Sequence, residues 1–349
     1  MKKNHTGATL IIVLVVVALA TFIATQLIEL TSYGQRRTEL TLARDQVFQL
    51  ALGGEELAKQ WMTKGFGKEV DKVHLNQPWA TTPLEFPIEG GKISATIEDA
   101  TACFNLNTLH SRSQEVRPLG APAPAPQPSP RQGGSRGAED SKKDPAQAIF
   151  VDLMQSILTD VEVQPEALAA AVIDWIDSDF EPYGPDGAED LEYTSYDFPY
   201  RTANNWMANK SELMVIKGFN ADTYKTVKDY VCVLPGAELN QVNVNTISTE
   251  KAPLLKALIG GDLSESDAQE ILTNRPEDGF DESSFWEQVK NSKKVSSKRK
   301  QRITFKSDYF LVRMEVTYKG ATLKMGSLLQ RGAKKGAPFE VVTRYFGEY

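Results

Sequence analysis

Nine carboxylates lie within the stretch from Asp174 to Tyr200, and no lysine or arginine lies among them. They are Asp174, Asp177, Asp179, Glu181, Asp186, Glu189, Asp190, Glu192 and Asp197. Negative charges at this density repel one another unless water solvates them or a hard cation neutralises them. Calcium takes about 6–8 oxygen ligands from carboxylates, carbonyls and waters, and an acidic loop bent by glycine and proline can supply them. The stretch therefore predicts either a calcium-binding loop or a solvated acidic loop.

Two other kinds of acidic site fit this stretch poorly. An EF-hand loop that began at Asp177 would need glycine at its sixth position and glutamate at its twelfth, where the chain has Pro182 and Ala188. Hydrolysis by a carboxylate pair would need a companion nucleophile, a metal-binding histidine pair or a cleft signature, and the sequence has none of these patterns. We therefore predict no catalytic residues and a protein that is not an enzyme.

Composition sets the wider limits. The chain has 349 residues, of which 41% are hydrophobic and 24% are charged, which is ordinary for a globular protein of about two domains. Its 39 basic and 46 acidic residues give a net charge of −7, which argues against a general nucleic-acid binder. Two cysteines exclude a disulfide-rich scaffold and a four-cysteine zinc site.

The N-terminus predicts a membrane helix over residues 8–30. The segment from Ala8 to Ile28 has no charged residue and, as a helix, is about 31 Å long, which matches the hydrocarbon core of a bilayer. Lys2 and Lys3 precede it, so the short N-terminus is expected in the cytoplasm and the rest of the chain is expected to be exported. The apolar run is too long for a cleaved secretory signal.

The remaining elements are predicted from periodicity. Residues 31–66 continue the first helix as an amphipathic segment, which Gly53-Gly54 is expected to weaken or kink. Residues 110–144 are rich in proline, alanine, glycine and serine and predict a disordered loop. Strands are expected at 86–109, 309–316, 322–329 and 339–346, and helices at 146–158, 165–176, 210–230, 247–258, 265–274 and 283–290.

Two short segments echo each other. Phe104–Leu109 and Val242–Ile247 both carry the pattern Asn-x-Asn-Thr between apolar residues. They are either two strands that each end in a threonine capping a helix, or a coincidence.

The junction before the membrane helix resembles the leader of a type IV prepilin. The polar leader ends in Gly7, and the apolar helix starts at Ala8. The resemblance implies that a prepilin peptidase cuts after Gly7 and that Ala8 is then methylated. Most members of that class carry glutamate at the fifth mature position, where this chain has Ile12. A subunit without this carboxylate has none to pair with a neighbour's N-terminus in the filament core, so Ile12 predicts a terminal position in the filament.

The acidic stretch resembles general secretion pathway protein K, the family of minor pseudopilins of type II secretion that carries an inserted helical domain. The resemblance lies in the segments 174–179, 187–190, 199–201, 203–204, 211–213 and 242–246, together with Tyr193 and the closing strands. It implies an α+β, type IV pilin-like fold with an inserted all-α domain. The expected parts are a leader at 1–7, a membrane helix at 8–30, the pilin-like helix and first strands at 31–109, a loop at 110–144, the α-domain at 145–290 and returning strands at 291–349.

The resemblance also implies a cation and its ligands. The family binds calcium in its acidic segment, and the matched positions in this chain are Asp177, Asp179, Glu189, Asp190 and Asn204. Asp174 is expected either to be a ligand or to support the ligands. Arg201 is expected to balance the excess charge of the loop.

The family's setting implies the partners. They are the other minor pseudopilins of a filament tip, the major pseudopilin, the prepilin peptidase and the inner membrane of a Gram-negative bacterium, with secreted cargo as a further candidate. The body would lie in the periplasm, where Cys103 and Cys232 could form a disulfide, although the sequence does not fix their separation. The basic run 290–302 is expected to be a solvated loop, with contact to anionic lipid or an acidic partner as the alternative.

One alternative function remains open. Residues 215–219, 243–246, 268–275 and 279–280 resemble the helix-hairpin-helix modules of DNA-uptake proteins, in which backbone amides hold phosphate. This favours a type IV pilus-like minor pilin that acts as a receptor for a substrate or for DNA. The surrounding acidic residues oppose an anionic ligand, so nucleic acid is the less favoured partner.

Overall fold

The first helix, α1, is continuous from Thr6 to Gly65. The computed structural model describes residues 6–66, 72–109, 145–159, 163–235, 241–332 and 336–347. Within those ranges α1 is the one helix long and apolar enough to cross a membrane; its most apolar 18-residue window has a mean hydropathy of 2.8 and is not buried. Its second half buries one face, which is formed by Ala43, Val47, Ala51, Ala58 and Met62. Their spacing of four or seven residues is that of a single helical face.

Gly53-Gly54 does not end the first helix. Helix α1 passes through both glycines without a break. A Cβ atom on Gly54 would lie 3.1 Å from Cγ2 of Ile93 and 3.3 Å from Sδ of Met314, both in the sheet. Gly54 therefore lets the helix backbone approach the sheet closely, which periodicity along the helix could not show.

The body of the protein is α1 packed on one antiparallel sheet. Five strands lie in the order β1-β2-β7-β8-β9, and a short helix α2 (Pro78–Thr81) precedes the first. The strands are β1 (Leu84–Ile88), β2 (Gly91–Asp99), β7 (Tyr309–Tyr318), β8 (Ala321–Gln330) and β9 (Glu340–Phe346). Phe66 at the end of α1 packs against Phe310 and Phe339, with ring centroids 5.1 and 5.7 Å apart.

A helical domain is inserted between β2 and β7. Its helices are α3 (Pro145–Ile157), α4 (Pro165–Ile176), α5 (Asp190–Tyr193), α6 (Ala221–Val227), α7 (Ala252–Ile259), α8 (Glu265–Thr273), α9 (Glu282–Gln288) and α10 (Ser297–Lys300), with 3-10 turns at Leu106–Leu109, Lys210–Val215, Thr249–Lys251 and Ser292–Lys294. Two short parallel pairs join β3 (Phe104–Asn105) to β4 (Val231–Cys232) and β5 (Val242–Asn243) to β6 (Ile303–Thr304). The predicted loop 110–144 lies outside the described residues.

The structure places the edges of this domain differently from the expected 145–290. Phe104, Leu106 and Leu109 belong to the core of the helical domain. At the other end, the basic run 290–302 is largely exposed but is not only a loop: it forms α10, the guanidinium of Arg299 donates to Asp152 at 2.5 Å and to the carbonyl of Ala257, and Lys290 pairs with Asp267 at 2.6 Å. The strands of the body return only at Tyr309.

The echo between residues 104–109 and 242–247 is a repeated hydrogen-bond motif. In each copy the first asparagine, Asn105 or Asn243, accepts from the backbone N–H of the second. The second, Asn107 or Asn245, exchanges two hydrogen bonds with a distant backbone, that of Met207 or Phe280. The threonine does not cap a helix as expected: Thr108 and Thr246 donate to the carbonyl three residues earlier.

A buried carboxylate joins the sheet to the helical domain. Asp99, the last residue of β2, accepts hydrogen bonds from Thr246 at 2.6 Å, from Ser307 at 2.5 Å and from the side-chain amide of Asn243 at 3.2 Å. Burial raises the pKa of Asp99, and these hydrogen bonds oppose the rise. Because every donor but the nearby Thr101 belongs to the helical domain or its return segment, Asp99 fixes how the two parts meet.

Candidate metal site

Three carboxylates converge just beyond the C-terminal end of α4. Asp177 follows the helix directly, and its N–H still bonds to the carbonyl of Ile173 at 2.9 Å. One oxygen from each of Asp177, Asp179 and Glu189 lies within 4.8 Å of the other two. Asp177 and Glu189 are buried and Asp179 is exposed. A group of this kind has the oxygen chemistry and spacing of a hard-cation site.

Four buried oxygens at this site lack a hydrogen-bond partner among the described residues. They are Oδ1 of Asp177, both carboxylate oxygens of Glu189 and Oδ1 of Asn204. Buried polar oxygens are normally satisfied, because leaving one unpaired costs about 1–3 kcal/mol and more when it is charged. Oxygen atoms that receive no hydrogen bond are suited to coordinate a cation such as calcium.

The raised pKa values of Asp177 and Glu189 also fit a cation site. Burial raises the pKa of Asp177 to about 8, and the carboxylates of Asp179 and Asp174 add to the rise. Burial likewise raises the pKa of Glu189 to about 8, with further contributions from Asp174, Asp177 and Asp179. No cationic side chain offsets the rise at either residue. A divalent cation would provide that charge.

Asn204 reaches the same end of α4 through an unusual backbone conformation. Its φ is 44°, in the left-handed region that asparagine tolerates better than most residues. Its N–H donates to the carbonyl of Trp175 at 3.1 Å, two residues before Asp177. The backbone therefore holds Asn204 at the end of α4, next to the point where Asp177 follows the helix.

Asp190 is placed differently from the other predicted ligands. Its Oδ1 accepts from the N–H and the hydroxyl of Thr202 at 3.1 and 2.9 Å, and its Oδ2 lies 3.7 Å from Nε of Arg201. It is not one of the three converging carboxylates. Its assignment as a ligand stays a prediction, and Arg201 lies where it offsets the charge of Asp190.

Asp174 supports the loop through its hydrogen bonds. Its side chain is wholly buried and accepts from the N–H groups of Tyr183 at 2.8 Å and Ala188 at 2.5 Å. Burial raises its pKa to about 6 against these hydrogen bonds. A Cβ atom on Gly187 would lie 2.4 Å from Oδ2 of Asp174, so only glycine leaves room for this contact. Sequence reasoning left the role of Asp174 open and did not single out Gly187.

A second support, missed from the sequence, holds the helix under the loop. Trp175 donates from its indole N–H to Glu212 at 3.0 Å. Glu212 in turn accepts from the N–H groups of Ala208 and Asn209, as part of a capping box with Asn209. The pattern Asn-x-x-Glu at 209–212 is a recognisable helix-start signal.

The other predicted site residues lie far from the acidic stretch in the sequence. Gly7 and Ala8 fall in the first turn of α1, and Ile12 is exposed in its apolar part. Cys103 and Cys232 form a disulfide, with their Cα atoms 5.7 Å apart. Lys2 and Lys3, which precede the membrane helix, lie outside the described residues.

Comparison with known proteins adds three findings. Models of the family described as type II secretion system protein K match residues 102–236 and 242–306. Two proteins named type II secretion system protein K, from Pectobacterium carotovorum subsp. carotovorum and Klebsiella pneumoniae, are each 31% identical over 350 residues, which is 100% of this chain and 98% of each relative. A chain from the crystal structure of the GspK-GspI-GspJ complex of the enterotoxigenic Escherichia coli type 2 secretion system is similar at a TM-score of 0.71 and 28% identity, over 90% of this chain and 100% of that one.

Proposed function

This chain belongs to the type II secretion system protein K family of minor pseudopilins, and we propose that it ends or initiates the tip of the pseudopilus and thereby serves the export of folded proteins. The fold is the expected α+β arrangement, with a long apolar N-terminal helix, an antiparallel sheet and an inserted helical domain. The family is a structural part of the secretion machine. We accordingly propose that the chain has no catalytic activity.

The position of the helical domain carries the proposal of a tip role. Along α1, Phe48 lies beside Phe346, and Phe66, near the helix end, lies beside Phe310. The end of the sheet that holds Asp99 and Phe310 is therefore the end farthest from the membrane segment, and the helical domain attaches there. A domain at this end would stand where the next subunit of a helical filament has to add.

Partners follow from the same arrangement. The similar structure is a complex of the protein K relative with GspI and GspJ. We propose that the corresponding minor pseudopilins bind this chain along the face of α1 that does not contact the sheet, where Leu42 and Leu57 are exposed. The major pseudopilin would continue the filament below them, and secreted cargo would meet the tip.

Topology and processing belong to the proposal. The single apolar helix supports a single-pass anchor, which we place in the inner membrane with the N-terminus in the cytoplasm and the body in the periplasm. The Cys103–Cys232 disulfide suits an oxidising compartment. Cleavage between Gly7 and Ala8 by the prepilin peptidase would leave Ala8 as the mature N-terminus.

Replacing Ile12 tests the tip role. Ile12→Glu supplies the carboxylate that subunits of the filament body carry, and we expect it to allow incorporation below the tip and to reduce secretion. The measurement is the position of the tagged chain in assembled pseudopili together with the amount of exported protein. Ile12→Gln, which adds bulk and polarity without the charge, is the control. Normal tip placement and secretion with Ile12→Glu would refute the role of the missing carboxylate.

We further propose that calcium binds through Asp177, Asp179, Glu189 and Asn204, with Asp190 as the fifth predicted ligand. The buried oxygens without partners support this assignment. For the full chain in detergent, excess calcium should raise the thermal unfolding midpoint over the chelated protein, because a ligand that binds only the native state stabilises it. Asp177→Asn should abolish the rise. Asp186→Asn, which removes a carboxylate of the same loop outside the cluster, should retain it; equal loss in both variants would refute the site.

The alternative of a DNA receptor gains no support from the structure. Within the described residues, Lys290 and Arg299 of the basic run already pair with Asp267 and Asp152. Salt-sensitive binding of duplex DNA by the full chain would revive that alternative.

A further inference from the structure

A cavity of about 530 Å³ lies where the helical domain meets the sheet. Glu98 of β2 and Leu311 and Arg313 of β7 line it from the sheet. These residues alternate along their strands with the residues that share a core with α1, so the cavity lies on the sheet face opposite α1. Lys210 and Lys251 line it from the helical domain. Its volume is in the range of small-ligand pockets, about 300–1,000 Å³.

These two lysines are partly buried and have no carboxylate partner. The ammonium group of Lys210 donates to the carbonyl of Lys228 at 2.9 Å, and that of Lys251 forms no hydrogen bond or ion pair with a described residue. Burial lowers the pKa of both lysines; Asp229 opposes this effect, and the guanidinium of Arg313 adds to it. The charge of Lys251 also lowers the pKa of Lys210, so the cations of this cavity repel one another. A partly buried ammonium group is normally offset by an anion.

The acidic residues that line the cavity do not provide this anion. Glu98 is held by Arg313 through two hydrogen bonds of 3.0 and 3.1 Å. Asp99 is occupied by the hydroxyl and amide donors described above. Asp229 and Glu250 are exposed, and neither forms an ion pair with a described residue. Water and salt screen these exposed charges, so the two lysines can still attract an anion from outside the protein.

Another part of the lining is apolar. It is formed by the Cys103–Cys232 disulfide, Val233, Leu311 and Leu328. A carboxylate that carries an apolar group complements both parts, because its oxygens accept hydrogen bonds from ammonium groups and its apolar group leaves water. The acidic residues of the same lining would repel a phosphate, which carries more negative charge, more strongly than they would repel a carboxylate.

We propose that this cavity binds a carboxylate that carries an apolar group, such as the C-terminal end of a polypeptide or a small aromatic acid. Lys251 and Lys210 hold the carboxylate, and the disulfide and Leu328 contact the apolar group. The site requires neither calcium nor the tip role. If partners bind along α1, as proposed above, the cavity would stay open in the assembled tip, because it lies on the other side of the sheet.

A binding experiment with the full chain tests the proposal. The chain is placed in nanodiscs of zwitterionic lipid, and binding of dansyl-leucyl-phenylalanine is followed by fluorescence anisotropy, with empty nanodiscs as the blank. We expect the free acid to bind at least about tenfold more tightly than the same dipeptide with an amidated C-terminus, since hydrogen bonds to a charged group are worth about 1.5–3 kcal/mol. Equal binding of the acid and the amide would overturn the proposal.

Variants locate the binding site. Lys251→Gln should weaken binding of the acid about tenfold and leave binding of the amide unchanged, which a general loss of structure would not do. Lys225→Gln, which removes an exposed lysine of α6 outside the cavity, should change neither. Thermal unfolding midpoints check that each variant is folded. A Lys251→Gln variant that still prefers the acid as strongly as the wild type would overturn the proposal.

Unlabelled competitors distinguish the two sources of the carboxylate. Displacement of the probe by 3-phenylpropionate at the same concentration as by acetyl-leucyl-phenylalanine would show that a small aromatic acid is sufficient. Displacement by the dipeptide alone would identify the end of a polypeptide as the ligand. Displacement by neither would show that the probe binds through its dansyl group and would overturn the proposal.

Discussion

Buried carboxylates in this protein differ in what lies beside them. Glu55 of α1 accepts from Arg344 at 2.8 Å and from Ser327 at 2.5 Å; burial alone would raise its pKa, but these contacts outweigh it and hold the pKa below its usual range. Asp99 is satisfied by hydroxyl and amide donors. Asp177 and Glu189 have buried oxygens with no such donors. This contrast separates carboxylates that hold the fold together from those that we propose to bind a cation.

The raised pKa values predict how calcium and pH act together. In the chelated protein, Asp177 and Glu189 keep protons up to a pKa of about 8, whereas the unfolded chain releases them near pH 4, so the free energy of unfolding should fall as pH rises between these values. Bound calcium would take the place of those protons. The rise in midpoint caused by calcium should therefore be larger at pH 8 than at pH 5, as measured by thermal unfolding with calcium and with chelator.

A neutral variant provides the control for this prediction. Glu189→Gln removes one repelling charge and one ligand, so at pH 8 it should be more stable than the wild type in chelator and should gain little from calcium. A calcium effect that is the same at both pH values would contradict the assignment.

The acidic residues show how far spacing along the chain can predict a site. Asp177, Asp179 and Glu189 were all singled out from the sequence, and the structure brings their oxygens within 4.8 Å. The role of Asp174 could not be predicted in the same way, because it depends on a loop that returns the N–H groups of residues 183 and 188 to the end of α4.

At the scale of elements, the contact between α1 and the sheet depends on the size of the side chains at the interface as much as on the hydrophobic pattern of the helix. Periodicity predicts the helix and its buried face. The reason for a glycine at position 54 is a close contact with Ile93 and Met314. These two residues lie on strands about 40 and 260 residues further along the chain. That information is absent from any local window of the sequence.

Two neighbouring glycines make this contact testable. Gly54→Val should lower the free energy of unfolding by about 1–3 kcal/mol, because the added methyl groups must displace Ile93 and Met314 in a packed interface. Gly53→Val should be neutral or slightly stabilising, since no atom lies within 4 Å of a Cβ there and valine favours a helix more than glycine does. The free energies of unfolding of both variants are measured by chemical denaturation. Equal losses would show that the close approach of Gly54 to the sheet is not what makes valine unfavourable there.

At the scale of the whole molecule, a disulfide cross-links the helical domain internally, and hydrogen bonds at two other places join it to the body. The disulfide joins β3 to β4 across 129 residues of chain, the Asp99 network joins the sheet to the domain, and Lys72 donates to the carbonyl of Gly279 at 2.9 Å. The order of elements predicted the insertion. Its edges were missed because the residues at 291–306 look solvated in sequence, although Arg299 pairs with Asp152 and Ile303 belongs to the core of the domain.

The disulfide should contribute strongly to stability. In the chain-entropy model a closed loop of this length is worth about 4–5 kcal/mol. Reduction of the wild type should therefore lower the unfolding midpoint. The double variant Cys103→Ser with Cys232→Ser should match the reduced wild type and should not respond to reductant. Thiol labelling shows whether the reductant has opened the disulfide. If the bond is open and the unfolding midpoint is unchanged, the disulfide does not make the expected contribution to stability.

The pairing of Asp99 with Phe310 across β2 and β7 has a consequence for engineering. The chain leaves the sheet and re-enters it at directly opposed positions, so a tight turn could bridge the gap after excision of residues 100–309. Such a miniature subunit, with Asp99 also replaced to suit its new exposure to water, would retain α1 and all five strands. It would test whether a filament that has lost its terminal obstacle keeps growing.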